Sequence, residues 1–187
     1  MPTKQLGEMS EAEEKKVVEE LKRLLLEGRN AYSKRDLEEA RKLFSKGQEL
    51  ALEKGWKEDA AVFKGSIFIT DKKYEEAIEL LEPLLETKTL HLKGHAYDRI
   101  GFAHDELGHH DQAIIYYLKA SKDPSYDTPG KTWNSMGVAY YYKGNHDKAI
   151  ECYLKALDTP NYDTPGYSWN NMGLAYRDKG ELDEALE

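Results

Sequence analysis

The sequence predicts an all-α fold, a solenoid of antiparallel helix pairs stacked side by side. Three observations carry that prediction: an internal repeat of 36 residues, an apolar stripe of helical period inside each repeat, and a glycine that stops the first stripe before a second begins. Lys131–Glu151 and Tyr167–Glu187 are identical at 11 of 21 positions, among them Trp133/Trp169, Met136/Met172, Gly137/Gly173, Tyr140/Tyr176 and Ala149/Ala185. The connector repeats too: Pro124–Gly130 returns as Pro160–Gly166 with one change.

The same frame runs backward. Gly65, Gly101, Gly137 and Gly173 form one column, and Ala77, Ala113, Ala149 and Ala185 another. Phe68, His104, Tyr140 and Tyr176 make a bulky column, and Leu81, Tyr117 and Tyr153 a second. A degenerate first unit is placed on Tyr32, Ala40 and Phe44, with one residue fewer between Tyr32 and Ala40. The chain divides into a flexible N-terminus, residues 1–9, and a single array over residues 10–187 of about four full helix pairs and a truncated fifth.

The elements follow in order. Ser10-Glu-Ala-Glu13 has the form of a capping box. It starts a helix through Val17, Leu21, Leu24, Leu25 and Tyr32, ending near Lys34 and shielding one end of the array. Its acidic residues (Glu11, Glu13, Glu14, Glu19, Glu20) oppose a membrane-surface role. In unit four, Trp133, Met136, Gly137 and Tyr140 fall at i, i+3, i+4 and i+7, one helical face. Gly144 ends that helix, and Ala149, Tyr153 and Ala156 begin the second. Gly137 and Ala149 lack bulk, so the two backbones approach while Trp133 and Tyr153 fill the flanks. In the connector, Thr128 is the expected N-cap and Pro129 the first helical residue. Asp127 and Asp163 sit where the helix dipole favours negative charge, and Tyr126 and Tyr162 cover the hinge. Unit five stops at Glu187, before the counterpart of Tyr153, with Leu182, Ala185 and Leu186 lacking their partners. The expectation is a piece of a longer array, or self-association through this incomplete repeat.

The pattern W-x2-M-G-x2-Y-x3-G-x4-A-x3-Y-x2-A, from Trp133 to Ala156, resembles the tetratricopeptide repeat. The resemblance covers nearly the whole chain after about residue 22. It is specific in the last three units and weak in the first two, where Ala61 and Lys64 stand in place of large residues. The family repeat is about 34 residues against 36 here; the two extra residues fall in the connectors after Ala120 and Ala156. The resemblance implies a right-handed superhelical solenoid whose work is protein–protein interaction.

Charge and chemistry narrow the functions. The chain is 33% charged and 40% hydrophobic over 187 residues, as an elongated array with narrow buried stripes would be. Asp+Glu 35 against Lys+Arg 27 gives −8. From Gly94 onward nine basic residues face fifteen acidic ones, a net −6, which excludes an RNA-reading array and favours a basic or apolar guest. Cys152 stands alone, so no internal disulfide forms, and it reads as a packed thiol. No signal peptide and no run of about 20 apolar residues is present. No membrane contact is expected, and the cytoplasm is the expected setting.

His91 and His95 have an i, i+4 spacing that suits a metal, but the intervening residues are not those of a zinc protease and no metal is expected. His104 takes an aromatic column and is expected to be buried and hydrogen-bonded. No nucleophile elbow, phosphate loop or paired carboxylates appear, so neither enzyme activity nor a cofactor is expected. The binding surface is the first-helix face turned away from the core stripe: Arg99 and Phe102 in unit three; Lys131, Asn134, Tyr141 and Tyr142 in unit four; Tyr167, Asn170, Asn171 and Arg177 in unit five. Aromatics beside Asn and Arg suit a protein or peptide partner. Some family members clamp acidic chaperone tails. Asn30 and Arg99 match that clamp, but Leu26, Phe63 and His95 do not, so no tight chaperone-tail binding is expected.

Overall fold

The computed structural model describes residues 9–180. Nine α-helices and no strand occur among them: α1 (Glu11–Ser33), α2 (Leu37–Glu53), α3 (Lys57–Thr70), α4 (Tyr74–Leu81), α5 (Lys93–Glu106), α6 (His110–Lys122), α7 (Pro129–Tyr142), α8 (His146–Leu157) and α9 (Pro165–Lys179). A 3₁₀ segment, Glu82–Glu86, extends α4 past Pro83, where the ring cannot continue an α-helix. The first helices of units two to five begin at Lys57, Lys93, Pro129 and Pro165, at intervals of 36. The expected capping box is present: Glu13 N–H donates to Ser10 Oγ, and Ser10 N–H to Glu13 Oε2 at 2.9 Å.

Each pair closes around a glycine. A Cβ on Gly137 would lie 2.5 Å from the Tyr153 ring, one on Gly101 2.8 Å from Tyr117, and one on Gly65 2.8 Å from Leu81. Gly28 makes the same contact with Phe44, at 2.4 Å. That contact corrects the alignment of unit one. Gly28, Ala31 and Phe44 lie 37 residues before Gly65, Phe68 and Leu81, so Ala31, not Tyr32, takes the bulky column. The odd residue falls between units, since Phe44 and Gly65 are 21 apart while Leu81 and Gly101 are 20 apart.

The turns within pairs require a left-handed residue. Gly108 and Gly144 supply it in units three and four, with φ of 77° and 72°. Arg35 and Lys72 adopt the same conformation at φ of 63° and 59°, at the strain a Cβ brings there.

Between pairs, contacts between charged and polar side chains repeat. Asp111 with Lys143 joins α6 to the end of α7, and Asp147 with Lys179 joins α8 to the end of α9. At the opposite ends, Asp59 meets His91, His95 meets Asp127 and Lys131 meets Asp163, each connector residue lying 32 after its partner.

Several expectations are corrected. Thr128 makes no side-chain cap; its hydroxyl accepts from Arg29 at 3.4 Å instead. Phe63 of unit two, which does not match the clamp, is buried where a Cβ on Gly47 would be 2.1 Å away. Trp133 lies half-buried with Lys155 4.8 Å over its ring, but Trp169, in the same column, is 56% exposed. His104 is largely enclosed and stacks on Tyr116, yet its buried Nδ1 has no hydrogen-bond partner among the described residues. Cys152 is buried, and burial pushes its thiol up to about 11, as befits a packing residue. The expectations for residues 1–8, Leu182, Ala185 and Leu186 lie outside the described residues.

Gly137→Ala must push Tyr153 aside and is expected to cost about 1–3 kcal/mol in urea unfolding. Gly166→Ala, whose Cβ meets nothing within 4 Å, serves as the matched control. Its gain in helix propensity makes it neutral or stabilising by up to about 1 kcal/mol. Equal effects of the two would show that the glycine column is not sterically set.

Candidate functional site

The inner side of units three to five is organised by Asp98 on α5. Its carboxylate accepts from the hydroxyls of Tyr126, at 2.9 Å, and Thr132, at 2.7 Å. Arg99 donates to it through Nε at 3.0 Å and again through Nη2. Arg29, from α1, lies 3.3 Å away and donates to the Tyr126 hydroxyl at 2.8 Å. Burial alone would raise the Asp98 carboxyl, but Arg29, Arg99 and Thr132 overcome it and hold the group well below the usual carboxylate range.

The same arrangement recurs one unit on without the charge. Asn134 takes the place of Asp98, and its Oδ1 accepts from Ser168 Oγ at 2.9 Å and from Asn171 Nδ2 at 3.3 Å. Tyr162, the counterpart of Tyr126, lies 3.0 Å from that Ser168 hydroxyl. Asn134 and Asn171 therefore tie neighbouring first helices together, and their amides are not wholly free for a ligand.

Helix α1 crosses to this side. Besides Arg29, Asn30 donates to Asp163 at 3.2 Å, and Tyr32 meets Phe102 edge-on at 5.7 Å between ring centres. Further back, Glu14 reaches the His91 Nε2 at 3.1 Å while Asp59 holds its Nδ1 at 2.7 Å. His91 precedes α5 and does not share a helical face with His95. His95 is 2% exposed; burial lowers its pKa against the pull of Asp127, so it is neutral at pH 7.

Eight of the ten residues expected to form the surface line two clefts. Arg99, Phe102, Lys131, Asn134 and Tyr167 line the first, facing Arg29, Tyr32 and Ser33 of α1. Arg99 is only 6% exposed there, its guanidinium 5.7 Å from the Phe102 ring. Lys131 pairs with Asp163 at 2.6 Å. Tyr141, Tyr142 and Asn171 line the second with Val138 and Leu174. Tyr141 donates to Asp178, which Arg177 also binds, so Arg177 borders this cleft. Tyr142 is 68% exposed and stacks on His110. Asn170 is exposed on α9 and lines neither cleft. Sequence reasoning missed Arg29 and Tyr32 as site residues. No periodic signal relates α1 to units three to five.

Stacked helix pairs with clefts along their inner side define a helical-repeat scaffold for protein–protein interaction. Tetratricopeptide-repeat models match residues 94–122, 130–159 and 166–187, so the chain carries tetratricopeptide repeats there. Its fold is similar to that of the MamA protein, with a TM-score of 0.60 and 24% identity over 90% of this chain and 87% of that one. It is similar as well to a kinesin light chain of Podosopora anserina with nearly identical TPR-like repeats, with a TM-score of 0.57 and 16% identity over 90% and 91% of the two chains. The Cut9–Hcn1 hetero-tetramer of the APC/C gives a TM-score of 0.59 and 24% identity over 87% of this chain and 31% of that one. No curated protein matches the sequence. No helix among the described residues is long and apolar enough to cross a membrane.

Asp98→Ala would leave two buried arginines without their carboxylate and is expected to cost about 3–5 kcal/mol. Because the folded-state pKa of Asp98 is depressed, its contribution is complete above the unfolded value, about pH 4, and is lost as pH falls below it. Urea unfolding across that range should show wild type losing stability with acid more steeply than Asp98→Asn. Parallel curves would remove Asp98 from this role.

Proposed function

We propose that the array holds an extended peptide or helical segment of another protein along the inner side of units three to five. Lys131, Asn134, Tyr141, Tyr142, Tyr167, Asn170, Asn171 and Arg177 face the guest, and Arg99 and Phe102 form its floor. One observation carries this reading: Tyr142 and Tyr167, 68% and 51% exposed, border the two clefts although the core does not need them. Large amphipathic rings at a cleft are the side chains that most often dominate protein recognition. The Cut9–Hcn1 hetero-tetramer, an assembly of two kinds of chain with a similar fold, agrees with such a role. Tetratricopeptide arrays are typically non-catalytic, and the reading involves no cofactor, nucleic acid or membrane. It places the protein in the cytoplasm, on the strength of a lone cysteine that cannot form a disulfide within the chain.

Peptides selected from a displayed library against the full chain supply ligands for the test. Tyr142→Ala combined with Tyr167→Ala is expected to weaken their binding about tenfold or more by calorimetry, with helix content unchanged. Selected peptides that bind the double variant as tightly as wild type would refute the site.

A second reading, self-association, is favoured by Trp169, a large ring 56% exposed on α9. If copies meet there, light scattering will show mass rising with concentration for wild type and not for Trp169→Ala. A wild-type monomer throughout would remove this reading.

A further inference from the structure

We infer that α1 is a latch on the curvature of the solenoid: its C-terminal half lets go of the connectors that enter units four and five, the array unwinds, and the inner clefts widen. The observation is a row of residues on α1 that matches the row of connectors. Glu14, Val18, Lys22, Leu26 and Asn30 recur every four residues, a row that winds slowly round one side of the helix. All five are half-buried, while Lys15, Lys16, Glu19 and Arg23 beside them are exposed. The connectors each present one residue at intervals of 36: His91, Asp127 and Asp163. Glu14 reaches His91 at 3.1 Å, Lys22 lies within electrostatic reach of Asp127, and Asn30 donates to Asp163 at 3.2 Å. One step along the connectors therefore matches eight residues of α1, about 12 Å of helix.

The curvature of a stacked array is the sum of small rotations between its units. A rigid helix bound at three successive connectors fixes that sum. The two halves of α1 are held differently, however. Leu21, Leu24 and Leu25 are wholly buried in the core that also holds Leu90, Leu92 and Ile100, so this part stays with units one to three. Arg29 stays there too. Its partners Asp98 and Tyr126 belong to unit three, where a Cβ on Gly94 would lie 2.4 Å from Tyr126.

Among the described residues, the buried clusters of α6 to α9 contain none from α1. What joins α1 to units four and five is polar and loosely packed. Arg29 donates to Thr128 at 3.4 Å and Asn30 to Asp163, and Leu26 borders a cavity of about 190 Å³ with Pro129, Pro160 and Tyr162. Asp163 keeps a second partner, Lys131 at 2.6 Å, so it is not left bare when Asn30 withdraws. Water replaces contacts of this kind at small cost, and it does not replace the burial of three leucines. The helix is anchored at the leucines and latched at Asn30.

The test uses the full chain with Cys152→Ala and spin labels on Lys34→Cys, at the end of α1, and Gly166→Cys, at the start of α9, both exposed positions. Pulsed dipolar spectroscopy reads the separation of the labels without any guest, so the outcome is independent of the peptide site. Asn30→Asp sets a second carboxylate against Asp163. It is expected to move the distance distribution outward by several ångströms at low salt, and by less at high salt, with helix content unchanged by circular dichroism. Asn30→Asp combined with Asp163→Asn restores a carboxylate–amide pair with the roles exchanged and should bring the distribution back. Glu14→Gln, at the end held by the leucines, should leave it where it was. Identical distributions for wild type and Asn30→Asp, a double variant as wide as the single, or equal widening by Glu14→Gln would each overturn the latch.

Discussion

The whole array depends on one steric contact, a glycine on the first helix of a pair lying under a bulky side chain on the second. Gly28 with Phe44, Gly65 with Leu81, Gly101 with Tyr117 and Gly137 with Tyr153 are each 16 residues apart. Any Cβ at these glycines would overlap its partner, so the distance between the two helix axes is fixed by the absence of one carbon. Ala40, Ala77, Ala113 and Ala149 are wholly buried on the facing helices and keep the same approach open. Once that distance is set in every pair, the repeated ion pairs between units fall into register. Asp111 with Lys143 and Asp147 with Lys179 then act as struts on a spacing they did not create. Exposed pairs of this kind contribute little alone.

Helix α1 breaks the one-dimensional logic of a repeat array. In a solenoid each unit touches only its neighbours, and stability is a sum of local terms. Here Arg29 binds Tyr126, 97 residues away, and Asn30 binds Asp163, 133 residues away. Leu21, Leu24 and Leu25 are wholly buried in a core they share with Leu90, Leu92 and Ile100. This helix is therefore no detachable cap. It ties the first unit to the connectors of the third and fourth, couples the unfolding of distant units and turns an open inner face into clefts with a fixed second wall.

The sequence made the columns legible because they recur. Gly101, Gly137, Tyr117 and Tyr153 announce both the helices and their contact, and Ser10 with Glu13 announces the first cap. Phe102, Lys131, Tyr142 and Tyr167, expected on a face away from the core stripe, line clefts. What did not recur was not legible. Unit one has a single copy of its spacing, so Tyr32 was set in the bulky column until the Gly28–Phe44 contact placed Ala31 there. Arg99 is expected on the binding face because it turns away from the core stripe, yet it is 6% exposed and bound to its sequence neighbour Asp98.

Repetition also hides how one position changes its task. Asp98, Asn134 and Asn170 occupy one column. The aspartate binds two hydroxyls and two arginines; the first asparagine retains a serine hydroxyl and gains an amide from Asn171; the second is exposed. Exchange of a carboxylate for an amide follows the arrival of Arg29, since a buried arginine needs a counter-charge and a hydroxyl pair does not. The same reasoning separates net charge from local field. A chain at −8 suggested a basic guest, because acidic residues dominate its later units. Those residues lie largely on solvated faces, where water and salt screen them within about 10 Å. The enclosed charges of the inner side, Arg29, Arg99 and Lys131 with Asp98, are screened far less, and Asp127 and Asp163 flank them at the rim. Recognition in such an array is governed by the few charges it buries, and its total charge bears mainly on solubility and long-range encounter.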